Sequence, residues 1–211
     1  MSRPTQWWWL RHAPVTALAG RIYGQMDVDC DIGDEQSFSA LAETLPANAV
    51  WLITPLGRTR KTFDAIAAKT PLPDPIVEPD LIEQSFGRWQ GLSWDEMQSV
   101  DPKIYAEFWV DPTRSAPPEG ESFAAQMART RAAIDRLSDE HAGRDIVAVS
   151  HGGTIRAAVA MALDLTPEAA MAVVVDNLSI TRLSKVADGL LQDKGGVWRV
   201  EGVNTQAARK P

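Results

Sequence analysis

The 211-residue chain has one cysteine, Cys30. That excludes an intrachain disulfide framework, and nothing near Cys30 has metal-ligand spacing. Long apolar runs are missing as well. The longest stretch, residues 155–165, is interrupted by Arg156 and Asp164 and falls short of the roughly 18 residues that a membrane span needs. The apolar run before Arg11 is only four residues long, Trp7 to Leu10, which is too short for a signal peptide. A cytoplasmic location is the expectation that these absences leave. Positive charge is scarce: Lys and Arg number 21 against 28 Asp and Glu, a net charge of −7. This balance argues against nucleic acid as a partner and repels anions in general. Any anion site must be a local basic focus, so the position of individual arginines carries more information than their number.

What is present is a series of buried-strand signals, each followed by chemistry. Trp7-Trp8-Trp9-Leu10 lies between Arg3-Pro4 and Pro14; it is too short for a helix and reads as a strand covered on both faces. It ends on Arg11-His12. Val50 to Ile53 is a second such strand and runs into Thr54-Pro55, where Thr suits an N-cap and Pro the first helical position. The helix predicted there extends to about Lys69, turns Leu56, Phe63, Ile66 and Ala67 inward, and carries Arg58 in its first turn. Ile146 to Val149 is a third strand and ends in Ser150-His151-Gly152-Gly153-Thr154, ahead of a helix from Ile155 to about Leu163. Glycines at that point let backbone approach a ligand at a helix start.

Between these lie further elements. Residues 13–31 form a loop with Pro14, Gly20 and Gly24, and Ser37 to Leu45 has helical spacing ended by Pro46. Ile76-Val77 is a short strand candidate. Residues 89–120 read as an excursion of one or two short helices, broken at Asp101-Pro102, that partly covers the crevice. Residues 122–142 are a long amphipathic helix with Phe123, Met127, Ile134 and Leu137 in one stripe. Two strands follow, within 177–186 and 196–204, around the Asp188-Gly189 turn, and 207–211 is expected to fray. The pattern is that of an α/β fold, with residues 1–211 forming one domain.

In open α/β sheets the carboxyl ends of the strands face the ligand crevice. Two strands here deliver a histidine to that edge, and a helix start delivers an arginine. A phosphomonoester carries close to −2 at neutral pH. Arg11, Arg58 and a protonated His151 would neutralise it, leaving a neutral His12 free to attack phosphorus.

Arg11-His12, Thr54-Pro55-Leu56-Gly57-Arg58, Glu83 ahead of Phe86-Gly87-Arg88-Trp89-Gln90-Gly91, Gly120-Glu121-Ser122 and Ser150-His151-Gly152-Gly153 together resemble the histidine phosphatase superfamily, the branch with phosphoglycerate mutases and α-ribazole phosphatases. The resemblance implies a three-layer α/β/α sandwich around a mixed, mostly parallel sheet. It implies catalysis without metal or other cofactor: His12 as nucleophile, Arg11, Arg58 and His151 holding the phosphoryl group, and Glu83 as proton donor, desolvated by Phe86 and Trp89. The chain departs from the family pattern in four places. Ala13 replaces a common Gly, Ala17 and Leu18 stand where an Asn often binds phosphate, Ile53-Thr54 replaces two serines, and Gln90 replaces a frequent Glu. Thr16 or the backbone at Gly24 is expected to take over from the missing Asn, with Gly152 beside His151 completing the phosphate site.

The expected activity is phosphatase action on a small phosphorylated metabolite, with a lean towards α-ribazole phosphate from the Gly20 to Asp27 loop. A mutase and a non-catalytic phosphate-binding protein are the alternatives. A two-histidine zinc hydrolase is opposed by the cations Arg11 and Arg58 beside His12 and His151. A homodimer is compatible with the sequence, and no membrane partner is expected. The remaining polar residues have plain readings. The three tryptophans serve packing, His141 is a solvent-exposed residue at a helix C-terminus, Glu121 and Ser122 cap a helix, and Arg88, Arg114 and Arg156 either reach the pocket or face solvent.

Overall fold

The computed structural model describes residues 3–187, 189–190 and 196–208. Asp188 of the expected turn and residues 209–211 of the expected frayed end lie outside them. Six strands form one sheet: β1 (Thr5–Arg11), β2 (Val50–Ile53), β3 (Ile76–Val77), β4 (Asp145–Ser150), β5 (Ile180–Lys185) and β6 (Trp198–Thr205), in the order β3-β2-β4-β1-β5-β6. The first four of that order run parallel, while β5 is antiparallel to both β1 and β6. The helices are α1 (Glu35–Thr44), α2 (Gly57–Ala67), α3 (Trp94–Val100), α4 (Pro102–Phe108), α5 (Phe123–Glu140), α6 (Gly152–Leu163) and α7 (Pro167–Ala170). The fold is a mixed, mostly parallel α/β/α arrangement, as expected, and the short helix α7 was not legible in the sequence.

Alternation along the central strands builds the two layers. Trp7 and Trp9, Val50 and Leu52, and Ile146 and Ala148 face Ala133, Ile134 and Leu137 of α5 and Ile155 and Ala158 of α6. Leu10, Trp51 and Ile53, and Val147 and Val149 face Phe38 and Leu41 of α1 and Phe63 and Ile66 of α2. Both faces are therefore dry, which is why these strands read as continuous apolar runs rather than alternating ones. Trp7 and Trp9 stack with ring centroids 4.8 Å apart. Trp8, on the opposite face, lies under the Arg182 guanidinium at 4.3 Å. All three tryptophans are packing residues.

One rung of this sheet positions the chemistry. β1 and β4 pair in parallel with Arg11 opposite Ser150, and the His12 N–H donates to the Ser150 carbonyl at 3.0 Å. The next residue on each strand is therefore a histidine, and the two imidazole centroids stand 5.2 Å apart.

Two expectations need correction. Thr54 does not cap α2. The helix starts at Gly57, whose N–H donates to Asp27 Oδ1 at 2.7 Å, and Thr59 Oγ1 bonds back to Thr54 and Leu56. The carboxylate of a distant loop thus takes the first helical N–H, and the Thr54 hydroxyl lies among the Leu56 N–H, Thr59 Oγ1 and His151 Nε2. His141 is the C-cap of α5, as its position suggested, but its side chain is only 12% exposed. It folds into a cleft of about 580 Å³ with Ala47, Trp51, Leu72 and Arg144, at the amino end of β2 and away from the histidine pair.

The 89–120 segment contains α3 and α4, broken at Asp101, whose side chain caps α4. Trp89, Met97 and Phe108 form a separate small cluster, joined by Ile22 and Phe86.

Candidate active site

His12 is 1% exposed. Its Nδ1 lies 2.7 Å from the Ala13 carbonyl, and a carbonyl only accepts, so Nδ1 carries the proton and Nε2 keeps its lone pair. Burial, with Arg58 and Arg11 close by, pushes the imidazole pKa down to about 3. The ring is neutral and holds one fixed tautomer. The Asn177 amide donates to the His12 carbonyl at 2.8 Å, fixing the backbone as well.

The flanking cations are also locked from behind. Arg58 is fully buried and donates to the Met26 and Gly24 carbonyls at 2.7 and 2.6 Å. Arg11 donates through Nη1 to the Val175 carbonyl at 2.6 Å. Neither is paired with a carboxylate among the described residues. Arg11 Nε, Arg58 Nε and His151 Nδ1 are buried and have no hydrogen-bond partner among the described residues. Unpartnered buried donors are costly, and three of them around one imidazole describe a surface shaped for an anion.

His151 is the N-cap of α6, and its Nε2 lies 2.9 Å from Thr54 Oγ1. Burial first, then His12, Arg58 and Arg11, hold its pKa well below the usual histidine value. Burial first, and the cations second, thus disfavour the protonated His151 that the sequence led one to expect in the free site.

Glu83 occupies the neighbouring corner. Gln126 Nε2 and the Gln84 N–H donate to its Oε1 at 3.0 Å each, and the Gly153 N–H donates to Oε2 at 3.3 Å. Of the two aromatics expected to shield it, Phe86 lines the same pocket as Glu83, whereas Trp89 packs with Met97 and Phe108 instead. The carboxylate is held by amide donors at the start of α6. A Cβ on Gly153 would collide with Glu83 Oε1 and lie 2.8 Å from Gln126 Oε1, so this glycine exists for the carboxylate.

The structure thus gathers Arg11, His12, Arg58, Glu83, His151 and Gly152, the last placed so that a Cβ there would lie 3.6 Å from Arg11 Nε. Thr16 is exposed in the 13–31 loop and makes no hydrogen bond to the cluster among the described residues. Gly24 contributes through its carbonyl, which Arg58 takes. Its φ is +43°, and a Cβ there would meet Gln90 Oε1 at 2.6 Å and the Gln84 carbonyl at 2.8 Å. Gly24 lets two loops touch. Gln90 completes that junction by accepting the Gln25 N–H at 2.7 Å. Arg88 pairs with Glu119 and Arg114 with Glu168, both at the surface, whereas Arg156 reaches the pocket. Glu121 binds Arg129, and only Ser122 caps.

Sequence reasoning missed Gln126, Thr54 as partner of His151, and Asn177. Gln126 had a usable signal: a polar residue within the buried stripe of α5 needs a buried partner. Among the described residues no three His, Cys, Asp or Glu side chains group as a metal site, and no helix is long and apolar enough to cross a membrane.

The arrangement matches a known family. Residues 7–193 fit the model of the histidine phosphatase superfamily, branch 1, and the chain belongs to that family. Over 155 residues it is 34% identical to a metal-independent phosphoserine phosphatase of Arabidopsis thaliana, covering 70% of this chain and 64% of that protein's length. It is 33% identical to a glucosyl-3-phosphoglycerate phosphatase of Mycolicibacterium vanbaalenii, covering 74% of this chain and 73% of that one. The α-ribazole phosphatase of Shigella flexneri superposes with a TM-score of 0.79 at 21% identity, over 98% of this chain and all of that one; at this identity the likeness speaks to the fold.

Proposed function

We propose that the chain is a metal-independent phosphatase that hydrolyses a small phosphomonoester through a phosphohistidine on His12. The observation that carries this reading is a neutral imidazole with its lone pair free at Nε2, fixed at Nδ1 by Ala13, beside the buried Arg58 and the partly buried Arg11, neither paired with a carboxylate among the described residues.

The chain's residues perform the reaction in two steps. A phosphate dianion settles between Arg11, Arg58 and His151, whose unpartnered Nε, Nε and Nδ1 atoms supply donors. In this reading Thr54 Oγ1 donates to His151 Nε2, 2.9 Å away, and the ring takes the tautomer with Nδ1–H directed at the phosphate. His12 Nε2 attacks phosphorus as the ester P–O bond breaks, and the fixed cations stabilise the charge on the equatorial oxygens. Glu83 gives its proton to the departing alkoxide. The Glu83 carboxylate then takes a proton from water as the water oxygen attacks phosphorus and the P–N bond breaks, which regenerates His12 and releases inorganic phosphate. General acid catalysis of this kind contributes about 10²–10⁴-fold. In this reading the 89–120 segment is a cover over the alcohol half of the substrate. The lean towards α-ribazole phosphate is one arm of the test.

The experiment is hydrolysis, in the presence of a chelator, of p-nitrophenyl phosphate, α-ribazole phosphate and 3-phosphoglycerate with its bisphosphorylated primer, by the chain and by His12→Ala. Phosphate release that falls by on the order of 10⁶ in the variant is expected. Isomerisation without release identifies a mutase, and turnover that survives in His12→Ala overturns the mechanism.

A further inference from the structure

Beside the histidine cluster lies a pocket of about 230 Å³ whose walls include Tyr23, Glu83, Phe86, Phe123, Gly153 and Arg156. Sharing Glu83 and Gly153 with the phosphate site, it lies where the alcohol half of an ester would project. Its wall combines aromatic and aliphatic side chains with Arg21, Glu83, Gln84 and Arg156; of the two cations, Arg21 is paired with Glu96, whereas Arg156 has no ion pair among the described residues.

The Arg156 side chain is partly buried and anchored by Nε donating to the Val173 carbonyl at 2.9 Å. Arg11 is held two residues on, by the Val175 carbonyl. One short segment thus positions both guanidinium groups, and they flank the same glycine: a Cβ at Gly152 would lie 3.6 Å from Arg11 Nε and 3.7 Å from Arg156 Nη1. Other arginines of this region are neutralised, Arg21 by Glu96, Arg114 by Glu168 and Arg129 by Glu121. Arg156 has no ion pair among the described residues. Glu83 attracts it at a distance, but that carboxylate is bonded to Gln126, Gln84 and Gly153. Burial lowers the Arg156 pKa, the mark of a cation that has lost water without gaining a partner.

We propose that Arg156 receives a carboxylate on the alcohol half of the substrate, so that the site selects small phosphomonoesters carrying a second anionic group. With Nε already engaged, the two Nη ends remain, and they match the planar pair of oxygens of a carboxylate. The pocket volume is below the roughly 300 Å³ at which drug-sized ligand pockets begin, which suits an alcohol of a few carbons. This proposal rests on the phosphatase reading of the same site.

The test compares 3-phosphoglycerate with glycerol 3-phosphate, which differ in a carboxylate against a hydroxymethyl group. Expected is a kcat/KM ratio favouring 3-phosphoglycerate by on the order of 10–100-fold, which collapses towards unity in Arg156→Gln through KM and is partly kept in Arg156→Lys. Circular dichroism melting of each variant reports folding, and calorimetric binding of both compounds to the unaltered chain gives a second readout that needs no turnover. Absence of a preference in both readouts overturns the proposal. Equal losses on the two esters in Arg156→Gln also overturn it, because they place the guanidinium on the phosphoryl group. Failure of the phosphatase reading is recognised separately, by lack of turnover of p-nitrophenyl phosphate.

Discussion

Acidification tests the buried histidine cluster. The His12 pKa falls from 6.5 to about 3 on folding, so between those values the unfolded chain binds a proton that the folded chain refuses. The contribution is favourable in full above about pH 6.5 and is lost as pH falls through that window. At about pH 5 the loss from His12 alone comes to about 2 kcal/mol, at 1.36 kcal/mol per pH unit. His151, shifted in the same direction by burial and by its cationic neighbours, adds to it. Urea unfolding followed by tryptophan fluorescence, at about pH 7.5 and about pH 5, measures the sum. His12→Gln should recover about 2 kcal/mol of the difference. Inorganic phosphate should reduce the difference in the unaltered chain, because a bound anion favours the imidazolium forms. An identical pH dependence in the unaltered chain and in His12→Gln would refute the assignment of the buried, neutral His12.

Two further outcomes follow from Glu83. Glu83→Gln should slow esters with poor leaving groups by about 10²–10⁴-fold while sparing activated aryl phosphates; an equal loss across a leaving-group series would move the acid role elsewhere. Gly153→Ala puts a methyl group onto Glu83 and Gln126 and should lower kcat for unactivated esters by at least about 10-fold, with little change in KM for phosphate-only contacts. Unchanged steady-state kinetics in that variant would show that the carboxylate position is not critical.

The chain discloses its strands and its paired histidines because both are written locally. Trp7 to Leu10 and Ile146 to Val149 are apolar on both faces, and the residue that matters stands at the end of each. Arg58 was legible for the same reason, as a first-turn cation of a periodic helix. What stayed hidden was decided by contacts between distant segments. Thr54 has the right chemistry for a cap, yet Asp27 takes that role from a separate loop and Thr54 turns to His151. His141 follows a polar helix end and reads as exposed, yet it folds into a cleft beside Trp51. Gly153 looked like a phosphate-loop glycine, and nothing within its own stretch of sequence says that Glu83 and Gln126 converge on it.

The rung that joins Arg11 to Ser150 also governs how the molecule is made. β1 is translated first, but its hydrogen-bonding neighbours are β4 and β5, so its backbone stays unpaired until more than a hundred further residues have emerged. Such sequence-distant pairing slows folding and lengthens the exposure of strand edges. During that wait the nascent chain presents Trp7-Trp8-Trp9-Leu10, an uncharged apolar segment suited to intermolecular pairing. The geometry that brings two histidines together therefore makes β1 an aggregation hazard during synthesis, and co-translational chaperone binding to it is the expected consequence.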